Sequence, residues 1–257
     1  MITRAELMAI ADEQRVEFKT VERDYVLTQI LADLYPATGE TGGLVFKGGT
    51  LLRACYFEDY RYSADLDFSL IEPGIADSAS AHVTDRLPRC RDRVGFDVLE
   101  PVEVNRQPHV AYQLPDGKRR KIKLNISPDE VAHEPVEQTL IARYNDVPSG
   151  CQVMSFGLVE VLAEKFRCVM QRRQCRDLFD LHHLLEQGVD LEAAWWMFEE
   201  KAQEKQLDPG GFADAFNQRM PGYESDWERE MTGYLVVAPR FDLVERQARR
   251  RLRPYLR

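Results

Sequence analysis

The strand signal of this chain fades near Ser155, and that change divides it into two unlike halves. Up to that point short runs read as strands. Leu44-Val45-Phe46-Lys47 is one, Asp65-Leu66-Asp67-Phe68-Ser69-Leu70 a second, and residues 96–104 a third. The runs 109–114 and 118–127 flank Pro115-Asp116-Gly117, a hairpin signal, which makes about five strands by residue 127. Beyond it the apolar residues fall at helical spacing, as in Leu158/Leu162, Leu178/Leu181/Leu185, Trp195/Phe198 and Phe212/Phe216. The expected fold is therefore α+β and bilobed: a mixed β-sheet with flanking helices over residues 1–154, then a helical lobe over 155–257. A length of 257 residues, 44% of them hydrophobic, is enough for two modest cores.

Within the first half, Val26/Ile30 and Leu27/Leu31/Leu34 predict two helices before about residue 35, closed by Pro36, Gly39, Gly42 and Gly43. A helix over 77–87 is expected to stop at Pro88. No run approaches the roughly 20 apolar residues of a membrane span, and the N-terminus lacks a signal peptide's apolar stretch, so the expected compartment is the cytoplasm. Five scattered cysteines (Cys55, Cys90, Cys151, Cys168, Cys175) without a CxxC pair indicate neither disulfides nor zinc, and read as small buried hydrophobes. A net charge of −9 argues against nonspecific coating of nucleic acid. Local basic clusters remain at residues 86–93, 118–123 and 172–176 and along the last 18 residues, where Arg240, Arg246, Arg249, Arg250, Arg251, Arg253 and Arg257 gather.

The chemistry is concentrated in Phe46-Lys47-Gly48-Gly49-Thr50-Leu51-Leu52 and in Arg61-Tyr62-Ser63-Ala64-Asp65-Leu66-Asp67-Phe68. Residues i and i+2 of a strand share a face, so Asp65 and Asp67 present two carboxylates about 6 to 7 Å apart at Cα. Hard divalent cations take such oxygen ligands, and a metal there would serve a phosphoryl displacement. The Gly48-Gly49 turn allows backbone N–H groups to approach a triphosphate, and a helix capped by Thr50 would aim its positive end at the anion. Lys47 would neutralise triphosphate charge, and Arg61 would do so by bidentate pairing. Alone, either motif reads as a solvated strand edge or a plain turn; together they place a phosphate cradle beside a metal site.

These residues resemble the nucleotidyltransferase superfamily, with its Gly-Gly-Ser/Thr turn followed by Asp-x-Asp/Glu. More narrowly, Lys47-Gly48-Gly49-Thr50-Leu51-Leu52 with Arg61-x-Ser63-x-Asp65-Leu66-Asp67-Phe68 is similar to the AbiEii/AbiGii toxins of type IV toxin–antitoxin and abortive-infection systems, the MenT-like toxins among them. Glu22-Arg23-Asp24-Tyr25, Glu164-Lys165 and Arg176-Asp177-Leu178-Phe179-Asp180-Leu181 extend the resemblance over most of residues 20–185. It implies a nucleotidyltransferase-like first domain in which Asp65 and Asp67 hold Mg²⁺ or Mn²⁺. It also implies that Lys47, Gly48, Gly49, Thr50, Arg61, Ser63 and Asp177 serve the nucleotide, and that Lys165 and Asp180 join the aspartates in catalysis.

One straight helix over 157–187 would hold Lys165 and Asp180 about 22 Å apart. A break near residues 171–175 is therefore expected, folding two helices so that the pair converges on a cleft between the lobes. Arg176-Asp177 reads equally as a structural ion pair. Where many nucleotidyltransferases carry a third carboxylate, the strand Lys121-Ile122-Lys123-Leu124-Asn125-Ile126-Ser127 offers Asn125, which can ligate a metal but cannot take a proton. His182-His183, about 100° apart on a helix, reads as one core and one exposed residue and not as a metal pair. Trp195-Trp196 and Phe198 read as packing, and the arginine-rich tail as a solvated face or a grip on nucleic-acid backbone.

The expected activity is transfer of NMP from an NTP to an acceptor. The resemblance points to the tRNA 3′ end as that acceptor, and to a toxin restrained by a cognate antitoxin. Transfer to a small molecule or protein, and a silent nucleotide-binding regulator, are the alternatives.

Overall fold

The computed structural model describes residues 2–115, 117–235 and 237–256, and it divides into two compact units, Met1–Phe156 and Gly157–Arg257. Asp116 of the expected hairpin and Arg257 of the basic tail lie outside the described residues.

In the first unit, α1 (Arg4–Glu13) and α2 (Phe18–Leu34) precede β1 (Leu44–Lys47), and α1 begins with a capping box between Thr3 and Glu6. A short helix α3 (Gly48–Leu51) continues into a π-helical turn (Leu52–Tyr56) and leads to β2 (Asp65–Leu70). Then come α4 (Ala76–Val94), β3 (Val98–Val104), β4 (Gln107–Gln113), β5 (Arg120–Val131), β6 (Pro135–Thr139) and β7 (Gln152–Phe156). The seven strands form one mixed sheet in the order β3-β4-β5-β2-β1-β7-β6. The α+β expectation holds, with β6 and β7 added beyond the five strands read from sequence.

The registers sort the side chains onto two faces. Phe46 opposes Phe68, Leu66 opposes Leu124 and Val110 opposes Ile122, all buried, on the face where α4 packs against β3 and β5. Each such large apolar side chain is worth about 1.5 to 3 kcal/mol on burial. Lys47 opposes Asp67, which opposes Asn125, and Asp65 opposes Lys123, so the other face is polar at the centre of the sheet.

Two local expectations are corrected. Helix α4 runs through Pro88 to Val94, because Ala79, Val83, Leu87, Cys90 and Val94 form one buried stripe and Gly95, at φ 73°, caps the end. Thr50 is not a helix cap: α3 starts at Gly48, and the Thr50 hydroxyl donates to the carbonyl of Asp65 at 2.6 Å. The β3–β4 hairpin turns through Asn105 and Arg106, both left-handed, the conformation of a type I′ turn.

The second unit is helical: α5 (Leu158–Gln171), α6 (Cys175–Glu186), α7 (Leu191–Glu204), α8 (Phe212–Met231) and α9 (Phe241–Arg251). Phe166, Trp195, Phe198 and Phe212 make its core with ring centroids 5.1 to 6.1 Å apart. Trp195 packs there as expected and stacks on Tyr255, while Trp196 is 65% exposed. Both His182 and His183 are half-buried, not one in and one out: His182 meets Gln247 and His183 stacks on Phe179. All five cysteines are free; Cys55, Cys90 and Cys175 are buried and Cys151 and Cys168 half-buried. No helix among the described residues is long and apolar enough to cross a membrane.

Candidate active site

The Gly48-Gly49 pair is dictated by what lies behind it. Gly48 sits at φ 82°, and a Cβ there would lie 3.0 Å from Asp67 Oδ2. A Cβ on Gly49 would come within 2.1 Å of an Arg61 guanidinium nitrogen. Only glycine lets the turn lie this close to both side chains.

Asp65 and Asp67 stand on the same face of β2, both half-buried. The Asn125 amide donates to Asp67 Oδ1 at 2.6 Å, orienting that carboxylate. Among the described residues no three His, Cys, Asp or Glu side chains gather as a metal site. Two carboxylates and an amide still suit a hard cation whose remaining ligands are water and phosphate oxygens, as is common for magnesium.

The two flanking cations both have partners within the fold. Lys47, 9% exposed, donates to Glu130 at 2.6 Å and to Ser127 at 3.1 Å. It is the partner of a buried carboxylate. Arg61, 2% exposed, packs behind Gly49, donates to the Tyr62 carbonyl at 3.0 Å and lies over the Tyr60 ring. Ser63 is half-buried on the segment leading into β2.

Glu130, which sequence reading passed over, lies on β5 five residues past Asn125 and also accepts from Ser69 at 2.9 Å. A pairing irregularity between Phe68 and Leu70 carries β5 round to place it there. The only hint in the sequence is Lys47 itself, because a lysine within a buried strand needs a carboxylate partner.

The Glu22-Arg23-Asp24-Tyr25 motif braces this region. Asp24 on α2 takes Arg53 Nε at 2.6 Å and the Tyr144 hydroxyl at 2.8 Å. Arg53 also donates to the Tyr60 carbonyl at 2.6 Å and lies 3.8 Å over the Tyr62 ring. Burial opposes the charge on Arg53, but Asp24 outweighs it and raises its pKa. The π-helical turn is thereby tied to α2 and to the chain entering β2.

In the helical unit α5 ends at Gln171 and α6 begins at Cys175, the break that the Lys165 to Asp180 spacing requires. Lys165 Nζ lies 2.7 Å from Asp180 and 3.0 Å from Asp177, all three at most 4% exposed. Arg172 closes on Asp177 at 2.8 and 3.1 Å. Burial alone would raise the Asp177 pKa, but Lys165 and Arg172 together hold it well below the usual carboxylate range. Asp177 pairs with Arg172 and Lys165; Arg176 turns instead to Gln174 and Tyr234. A second buried pair, Lys201 with Glu160 at 2.8 Å, ties α7 to α5 and carried no sequence signal.

The sequence profile of the nucleotidyl transferase AbiEii toxin family of type IV toxin–antitoxin systems matches residues 29–248. The chain belongs to this family. Among solved structures, MenT4, a nucleotidyltransferase toxin from Mycobacterium tuberculosis H37Rv, shares its fold at a TM-score of 0.71 and 17% identity, covering 100% of this chain and 90% of that one. An antigenic nucleotidyltransferase-like protein from Paracoccidioides brasiliensis matches at a TM-score of 0.43 and 14% identity, over 76% of this chain and 93% of that one. No curated protein matches by sequence. As an AbiEii family member, the chain carries a nucleotidyltransferase toxin fold, and the motif stretch at Gly48–Asp67 lies within the matched residues.

Proposed function

We propose that this AbiEii family protein transfers a nucleotidyl group from an NTP to the 3′ end of tRNA, and that a cognate antitoxin restrains it in the cytoplasm. The observation that carries the reading is the pair Asp65 and Asp67 on one strand face, with Gly48 kept free of a Cβ against Asp67. Asp65 and Asp67 would hold Mg²⁺ or Mn²⁺, which when bound supplies charge neutralisation for the triphosphate. The backbone of Gly48 and Gly49 lines the same place, Thr50 fixes the turn to the start of β2, and Asn125 orients Asp67. Arg61 supports the turn from behind, and Ser63 lies on the approach to it. An acceptor hydroxyl oxygen bonds to the α-phosphorus as the bond to the bridging oxygen breaks, pyrophosphate leaves, and the acceptor proton passes to a site carboxylate or to water. Asn125 cannot take that proton.

Lys165, Asp177 and Asp180 belong to this reading as a preformed charge cluster of the helical unit, with Lys165 and Asp180 assigned to catalysis. The family membership supports a toxin role, and with it an antitoxin partner.

The test incubates the protein and its Asp65→Ala and Asp67→Ala variants with total tRNA, Mg²⁺ and each α-labelled NTP in turn. Label in RNA with the wild type alone is expected. Equal labelling by the variants would remove the aspartates from the mechanism, and bound triphosphate with no labelled RNA would redirect the search to a small-molecule or protein acceptor.

A further inference from the structure

Four clusters of positive charge occur along the sequence, and in the folded chain three are largely cancelled. Arg86 pairs with Glu40 and Arg93 with Asp33. Arg172 pairs with Asp177 and Arg173 with Asp226. On the tail, Arg240 meets Asp242, Arg249 meets Glu245, and Arg250 and Arg251 both meet Glu186. Residues 118–123 are different. Arg119 pairs with Glu100 and Arg120 with the buried Glu22, but the Lys121 and Lys123 side chains have no hydrogen bond or ion pair among the described residues.

The strand registers say where those two lysines stand. Lys123 opposes Asp65 on β2 and His109 on β4, so all three lie in one row on one face. Lys121, exposed, follows two residues away on that face, opposite the small Ala111. At about 4.8 Å between strands, Lys123 is one strand from the first aspartate and His109 about 10 Å from it. Nearby acids cancel little of this charge. Glu100 is committed to Arg119, and Asp65 and Asp67 are the groups assigned to the metal. His109 Nδ1 donates to the Gln107 carbonyl at 2.9 Å, which leaves Nε2 available on the same row.

We propose that Lys121 and Lys123 form a phosphate track for the acceptor strand, which enters the site along β5 and delivers its end to Asp65. This deepens the reading given above and rests on it: the acceptor is a nucleic-acid strand recognised through consecutive phosphates by two lysines spaced along one strand face. In a chain of net charge −9, this local pair keeps the phosphate contact beside the aspartates.

The experiment titrates the full chain into fluorescently labelled, unfractionated tRNA at several salt concentrations, without NTP. Each lysine contact should contribute about five- to eightfold in affinity at 0.1 M salt and about 0.7 to 0.9 to the salt slope. Lys121→Ala with Lys123→Ala should therefore weaken binding by the product of the two and flatten the slope, with binding of a fluorescent NTP analogue unchanged. Arg246→Ala with Arg253→Ala, two exposed tail arginines, should leave both intact. Unaltered tRNA affinity and slope in the lysine variant, loss in the arginine variant instead, or no tRNA binding by the wild type each overturns the track. Failure of the transfer reading is distinguishable, since it would leave lysine-dependent tRNA binding with no label transferred.

Discussion

At the residue scale, the buried charges are held in pairs. Removing one partner of a buried pair strands the other in a low-dielectric interior and costs about 3 to 5 kcal/mol. Lys165→Met should lose that much in urea unfolding, since it leaves Asp180 without its nearest cation. Arg172→Ala, half-exposed, should lose much less. Equal losses would contradict the assignment of Lys165 as the centre of the cluster. Asp177 has its pKa depressed in the folded state, so its contribution is present above the unfolded value of about 3.9 and fades as pH falls below it. Asp177→Asn should accordingly be less stable than the wild type at pH 7, with the gap narrowing towards pH 2. A gap independent of pH would show that the charge is not what matters there. Gly49→Ala forces a methyl into the Arg61 guanidinium, and a loss of about 1 to 3 kcal/mol is expected by thermal unfolding.

At the element scale, α4 contains a removable fault. Pro88 lies exposed in its interior, where it deletes a backbone hydrogen bond that the helix would otherwise make. Pro88→Ala should stabilise the protein by about 1 to 3 kcal/mol in chemical denaturation, and destabilisation would mean that the ring itself is needed. The same helix shows why local signals mislead: proline is a strong stop in isolation, but five buried residues and a left-handed Gly95 outvote it. Strands β1 and β2 were legible to the residue because their apolar runs are bounded by glycine and polar residues. Strands β6 and β7 were not, since Pro135–Thr139 is a short edge strand with two of its five residues exposed and Gln152–Phe156 draws its identity from pairing with β1 and β6. The helix break after Gln171 was legible through a distance argument alone. Glu130 was not, because its meaning depends on Lys47, 83 residues away.

At the scale of the whole molecule, the site motifs were readable because they combine a turn that only glycine can make with two carboxylates in strand register. What sequence could not supply was the state of the flanking cations. Lys47 and Arg61 look available in a motif and have partners within the fold, whereas Lys121 and Lys123 look like one basic run among four and keep side chains without an ion pair among the described residues. Chelation of divalent metal should abolish label transfer without shifting the unfolding midpoint by more than a weak ligand would, and restored activity with Mn²⁺ should match the hard-oxygen donor set. Transfer to a terminal RNA hydroxyl is tested most directly by comparing labelling of intact tRNA with tRNA whose 3′-terminal ribose has been opened by periodate. Label on the intact RNA and none on the oxidised RNA is the predicted result. Equal label on both, or label recovered only in protein or a small molecule, would contradict it.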